Sequence, residues 1–266
     1  MLLSMSNSIG QTNSNLVCFN HSLLILDSAT YYAAVNSEFI NHFAFSHEKQ
    51  LTGYKGFYLI GKTNYIELFH PKSFEGEEEE QGGIWICLAS LKANYLKKLN
   101  KEKLDFIEFE TDDRFNKLSL IVDDSISPIT TWEMRKTQYE SWTKKEYHDS
   151  ITFLPVDYNS PQESDSSDNY LMNDVNGMGL NLNPDDSLAV VGYLKQIGYD
   201  SITDSEGHVR LSNNDQFIEL HISKDHISMS INRFYIQLNR TVERSTETIG
   251  SSRIECDGKS AVWFFE

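Results

Sequence analysis

The chain has 266 residues, 39% of them hydrophobic and 12% aromatic, enough to build one large core or two ordinary ones. Its net charge of -16, from 39 acidic against 23 basic residues, repels phosphate backbones and argues against a nucleic-acid partner. No run reaches the roughly 18 apolar residues of a membrane-spanning helix, and Cys18, Cys87 and Cys256 are too scattered for a disulfide framework or a zinc ribbon.

Residues 1–15 read as a flexible N-terminus or as the remnant of an export signal, since Met1 to Met5 is briefly apolar and Ser6 to Asn15 polar and small. The protein is expected to be soluble, and its compartment, cytoplasmic or exported, stays open. Phe19 to Asp27 follows as a strand with His21 near its start. Asp27 or Ser28 can cap a helix through Tyr31–Val35, and a short helix covers Phe39–Phe43. Gln50 to Tyr54 is a weak strand, Phe57–Ile60 a clear one, and Gly61–Asn64 a hairpin leading into Tyr65–Phe69, with Glu67 at its centre. Glu77 to Glu80 is a solvated acidic loop.

Ile84–Leu88 opens a similar series. Ser90 can cap a helix carrying Leu91, Tyr95 and Leu99 on one face, and strands are expected at Phe106–Phe109, Leu118–Val122 and Ile129–Met134. The order strand, helix, strand, strand, strand thus occurs twice within 16–150, by pattern rather than by identity. Gln138–Tyr147 reads as a helix, and 151–180 as a polar linker. In it, Asp165–Asn169 lacks the glycine and terminal glutamate of a calcium loop.

Within 181–266, Asn183 caps a helix that has Pro184 at its first position and Gly198 at its end. Its apolar stripe is either Leu188, Val191 and Leu194 or Val190, Leu194 and Ile197. Strands are expected near Val209–Leu211, Gln216–Ile222, Ile231–Leu238, Ser251–Cys256 and Ala261–Phe265, with Asp257-Gly258 as a hairpin turn. His208 and His221 flank Glu219 on what reads as an exposed polar face.

Strand alternation sets Phe19, His21, Leu23 and Ile25 on one face, Tyr65, Glu67 and Phe69 on another, and Thr131, Glu133 and Arg135 on a third. If the two units curl round one cleft, an imidazole and two carboxylates meet there, a donor set that suits Mn, Fe, Ni, Co or Zn. His21 as a structural histidine, and Glu67 in a salt bridge to His21 or Arg135, are the alternatives. Tyr58, Tyr65, Phe69, Trp85 and Trp132 are the candidates to line an apolar pocket, or simply core.

This layout resembles the glyoxalase-like, or vicinal oxygen chelate, superfamily, whose metal-dependent members take a His from the first strand of a βαβββ unit and a Glu from the last. Matched position by position, His21, Glu67 and Glu133 take the first, second and fourth ligand places, while the strand offering the third carries Trp85 and Cys87 and no His. The segments Phe19-Asn20-His21 through Asp27–Tyr31, Gly56–Gly61 with Tyr65–Phe69, and Asn239-Arg240 with Asp257-Gly258 to Phe265 further resemble an uncharacterised bacterial family with glyoxalase-like halves.

The expected fold is α+β: paired βαβββ units forming a cupped mixed sheet, plus a smaller C-terminal α+β domain. The resemblance implies a cleft for a small-molecule ligand and one divalent metal acting as Lewis acid toward vicinal oxygens, with Glu133 or Glu67 shuttling a proton in a lyase, isomerase or dioxygenase type of reaction. The alternatives are a non-catalytic, metal-free binding module, or a structural protein whose cleft is filled by its own side chains.

Overall fold

The computed structural model describes residues 16–76, 79–101, 107–122, 125–159, 166–203, 209–213 and 215–265. The 1–15 stretch, Glu77 and Glu78 of the acidic run, Phe106, Asp165 and His208 lie outside the described residues.

The first unit begins with β1 (Val17–Ile25). The Asp27 carboxylate accepts from the free Thr30 N–H and starts α1 (Ser28–Val35), and Ser37 does the same for α2 (Glu38–Phe43). The hairpin strands β2 (Phe45–Leu51), β3 (Tyr54–Ile60) and β4 (Tyr65–Phe69) complete it. The second unit repeats the order with β5 (Ile84–Ser90), α3 (Tyr95–Asn100), β6 (Ile107–Thr111), β7 (Phe115–Val122) and β8 (Ser125–Met134). Together they form one eight-stranded sheet, ordered β2-β3-β4-β1-β5-β8-β7-β6. In each unit the first and last strands are parallel, and β1 meets β5 antiparallel at the centre. The expected α+β class and paired βαβββ sheet are both present. Ser90 ends a strand rather than capping α3, whose first turn starts after Asn94.

After α4 (Lys136–Thr143) the chain enters the region read as a linker, and here the expectation fails. A short 3-10 turn (Pro155–Tyr158) brings Tyr158 into the core, and β9 (Met172–Leu182) is a central strand. Asn64 pairs with it as a strand residue would: its amide Nδ2 donates to Val175 O at 2.9 Å and its Oδ1 accepts from Val175 N at 2.8 Å. Next come α5 (Pro184–Gln196), β10 (Asp200–Thr203), β11 (Val209–Asn213) and β12 (Gln216–Ile222). Their order, β10-β11-β12-β9, repeats that of β2-β3-β4-β1, so this is a third βαβββ unit. Of the two stripes expected on α5, the one with Val190, Leu194 and Ile197 is buried, whereas Leu188 is exposed.

The last two strands stand where a fourth unit would begin. β13 (Ser230–Ile249) lies antiparallel to β9, as β5 does to β1, and β14 (Ser252–Phe264) follows it as one continuous strand. Asp257-Gly258 is therefore no hairpin turn. It sits at a break in register between β13 and β14, and the turn is at Gly250. The hairpin folds back there, because the Trp263 indole donates to Ser252 Oγ at 3.0 Å across eleven residues of the same strand.

One apolar core joins both sheets, running from Leu24, Leu59 and Leu88 to Met178, Phe234 and Trp263. Each such large side chain contributes about 2–3 kcal/mol by leaving water. Tyr193 of α5 spans the seam: its hydroxyl donates to Leu118 O at 2.6 Å and lies 2.7 Å from Thr131 Oγ1. The core covers the helix-bearing face of the first sheet and leaves its opposite face to other contacts.

Candidate functional site

That opposite face is laid out by register. Across β3, β4, β1 and β5, Tyr58 is level with Glu67, Leu23 and Trp85, and in the next row Tyr65 is level with His21, Cys87 and Thr130. His21 and Glu67, from strands far apart in sequence, thus stand diagonally across one pleat. His21 Nε2 is 4.0 Å from Glu67 Oε1, with side-chain exposures of 10% and 13%. His21 stacks on Tyr65 at 4.7 Å between ring centroids and meets the edge of Trp132 at 5.6 Å.

The electrostatics follow from burial. His21 Nδ1 donates to Asn20 Oδ1 at 2.7 Å, which leaves Nε2 as a bare lone pair facing Glu67. Desolvation pushes the imidazole down to about 3, so the ring is neutral. Desolvation raises Glu67 to about 7, against the pull of Lys49 and a hydrogen bond from Tyr58. The pair is therefore a neutral base beside a carboxyl that can hold or release its proton near neutral pH. Tyr58 and Cys87 are both pushed up by burial and stay protonated.

Glu133 does not join them. Pairing sets Trp132 level with Ala89 and Thr130 with Cys87, so Glu133 points to the helix side. There its Oε2 accepts from Leu96 N at 2.9 Å and its Oε1 from Asn116 Nδ2 at 2.7 Å. It serves as a remote cap for α3, whose own N-cap residue Asn94 makes no capping bond and instead donates its amide to Asp149 O at 3.2 Å. Phe19 also leaves the expected face, because the register shifts between Phe19 and His21 and turns Phe19 toward Leu88. Arg135 likewise turns away, bonding the Asp112 carbonyl.

Among the expected pocket residues, Tyr58, Tyr65 and Trp132 surround the pair. Phe69 is buried one row away against Phe74, and Trp85 is 40% exposed at the edge, donating to Thr130 Oγ1 at 3.3 Å. Sequence reasoning missed Asn20, which fixes the imidazole proton, and Lys49, which lies on the same face of β2. It also missed a buried indole N–H on Trp132 that has no acceptor. Alternation alone pointed to Lys49, two residues from His47, once β2 was placed.

The repeat makes the donor set legible. At the place of His21 the second unit has Cys87 and the third Gly177; at the place of Glu67 they have Trp132 and Glu219. In the third unit Glu219 accepts from the Tyr235 hydroxyl and lies 3.8 Å from Arg210, with no imidazole opposite. Only the first unit retains both groups. Among the described residues, no set of three or more His, Cys, Asp or Glu is arranged to hold a metal ion. The four-ligand centre that the resemblance implies does not fit these residues: two donors meet, the third place is a thiol bonded to Leu88 O, and the fourth caps a helix.

A separate cleft of about 600 Å³ lies where Leu24–Asp27 faces Ser228–Ile231 and the Gly250 turn's neighbour Ser251. Its lining brings together no imidazole and carboxyl.

Among solved structures, a hypothetical protein from Staphylococcus aureus matches with a TM-score of 0.53 at 15% identity, over 91% of this chain and 99% of that one. A xylose isomerase-like TIM barrel/4-hydroxyphenylpyruvate dioxygenase fusion protein matches with a TM-score of 0.49 at 10% identity, over 82% of this chain and 36% of that one. The first likeness bears on the fold alone. No curated protein matches the chain. The model of one family matches residues 19–265, from the start of the His21 strand to the end of the last hairpin, and the chain belongs to it: the Family of unknown function (DUF5829).

Proposed function

We propose that the His21 face is a small-molecule site of the glyoxalase-like kind, and that it moves a proton on its ligand through His21 and Glu67 rather than through a four-ligand metal centre. One observation carries this reading: a bare imidazole nitrogen and a carboxyl near neutrality stand 4.0 Å apart, ringed by Tyr58, Tyr65 and Trp132. That gap is too long for a direct hydrogen bond and suits an intervening ligand atom. Glu67 is matched to taking or giving a proton at neutral pH, and the aromatic walls supply the apolar contact that small-molecule sites use. The reaction class is isomerisation or elimination at an acidic C–H.

The test is a fragment screen on the full chain, read by tryptophan fluorescence and by exchange of ligand protons with deuterated solvent. Ligands that bind are expected to exchange protons, and Glu67→Gln to keep binding while losing exchange. Binding without exchange would leave a non-catalytic module. Stoichiometric Mn, Ni or Zn that His21→Ala abolishes would overturn the metal-independent reading.

A further inference from the structure

The kind of molecule this site takes can be narrowed from the charges around it, and the inference rests on reading the His21 face as a small-molecule site. In a chain of net charge -16, the groups facing this cleft are unusual. The imidazole is neutral, Tyr58 and Cys87 keep their protons, and burial raises Glu67 to about 7, so it is only partly ionised at neutral pH. Two lysines face it. Lys49 stands opposite Gly56 on this face, and its Nζ is 5.5 Å from the Tyr58 ring centroid. A Cβ at Gly56 would come within 2.7 Å of the Phe69 ring, so the glycine lets Phe69 pack flat on the strand beside Lys49. Lys117 lies 5.4 Å over the Trp132 ring, with Asp112 3.3 Å from its Nζ. Glu48 points away from the face and pairs with Lys55 at 2.6 Å.

A second observation concerns the wall rather than the charge. The Trp132 indole N–H is buried and has no acceptor, although buried donors are nearly always satisfied. An orphan donor beside His21 calls for an oxygen on whatever occupies the cleft.

We propose that the cleft takes a small organic carboxylate with a flat apolar body, its anionic end drawn to Lys49, its body against the Tyr65 and Trp132 rings, and a ligand oxygen accepting from the Trp132 indole. A free carboxylate would meet the Lys49 cation, with Lys117 already paired to Asp112, and would favour the protonated form of Glu67 beside it.

Benzoate, benzamide and benzylamine share a ring and differ in charge, so titrating each into the full chain with tryptophan fluorescence as readout isolates the anion preference. Benzoate is expected to bind roughly fivefold to tenfold more tightly than benzamide, with benzylamine weakest, and the margin to shrink as salt rises. Lys49→Met should erase the margin while leaving benzamide unchanged, and Lys97→Met on the exposed side of α3 should leave both probes as they were. Equal affinity for the three probes, no binding of benzoate, or an intact margin in Lys49→Met overturns the proposal. Benzamide binding that Glu67→Gln or Trp132→Phe disturbs would keep the small-molecule site and remove only its preference for anions, so the two failures are told apart.

Discussion

Burial drives His21 and Glu67 in opposite directions with pH. Glu67 is raised to about 7 from a usual 4.5, so its contribution to stability is intact below the lower value and lost as pH rises through the upper. His21 is held to about 3 against a usual 6.5, so its contribution is intact above the upper value and lost as pH falls through the lower. Glu67→Gln removes the first effect and keeps the second. Urea denaturation from pH 5 to 8 is expected to show this variant gaining on the wild type by up to about 3 kcal/mol; parallel profiles would contradict the buried carboxyl. Glu133→Ala should behave differently, costing about 3 kcal/mol at neutral pH by orphaning the Leu96 N–H and the Asn116 amide, with ligand binding on the opposite face unchanged. The sequence carried His21 and Glu67 because each lies inside an alternating apolar run. Glu133 went astray because alternation shows that neighbours oppose each other but not which of them faces inward. Only the pairing of β8 with β5 decides that.

At the scale of elements, the folded-back hairpin is the feature that depends most on local backbone. Gly250 and Gly258 both have φ of +61. A Cβ at Gly250 would drive into the backbone and side chain of Thr30, whereas one at Gly258 would meet nothing within 4 Å. Gly258→Ala is therefore expected to cost about 1 kcal/mol from the left-handed conformation alone. Gly250→Ala should cost clearly more, since it also displaces the turn from α1, where Ser251 N donates to Thr30 Oγ1 at 2.9 Å and Ser251 Oγ donates to Asp27. Thermal melts of the two variants side by side make the comparison, and equal losses would mean that the docking contributes nothing. Most strands and the α5 caps were legible from alternation and from Asn183-Pro184. The bend was not, because a glycine pair inside a strand and one at a hairpin tip look alike in sequence.

Seen whole, the molecule is three βαβββ units and a hairpin around a shared core. The third unit escaped sequence reasoning because β9 looks like a loop: Asn173, Asp174, Asn176, Gly177 and Gly179 hide its strand character. Those residues answer to their neighbours, since the Phe217 ring occupies the space where a side chain on Gly177 would go, and the Asp174 carboxylate accepts from Thr63 N and Asn64 N. A core common to both sheets predicts one cooperative transition rather than separate meltings. Tyr193→Phe, which removes the hydroxyl bridging α5 to Leu118 and Thr131, is expected to lower stability by about 1–2 kcal/mol while far-UV and fluorescence transitions still coincide. Transitions that separate would show that the seam holds the halves together less firmly than each half holds itself.

The threefold repetition of register also makes the first sheet a ready scaffold for engineering. Since Cys87 occupies the second unit's imidazole position and Trp132 its carboxylate position, Cys87→His with Trp132→Glu would bring four nitrogen and oxygen donors to one wall without moving the backbone. Zinc uptake by that double variant above the wild-type level, measured by competition with a chromogenic chelator, would turn a dormant layout into a designed metalloprotein.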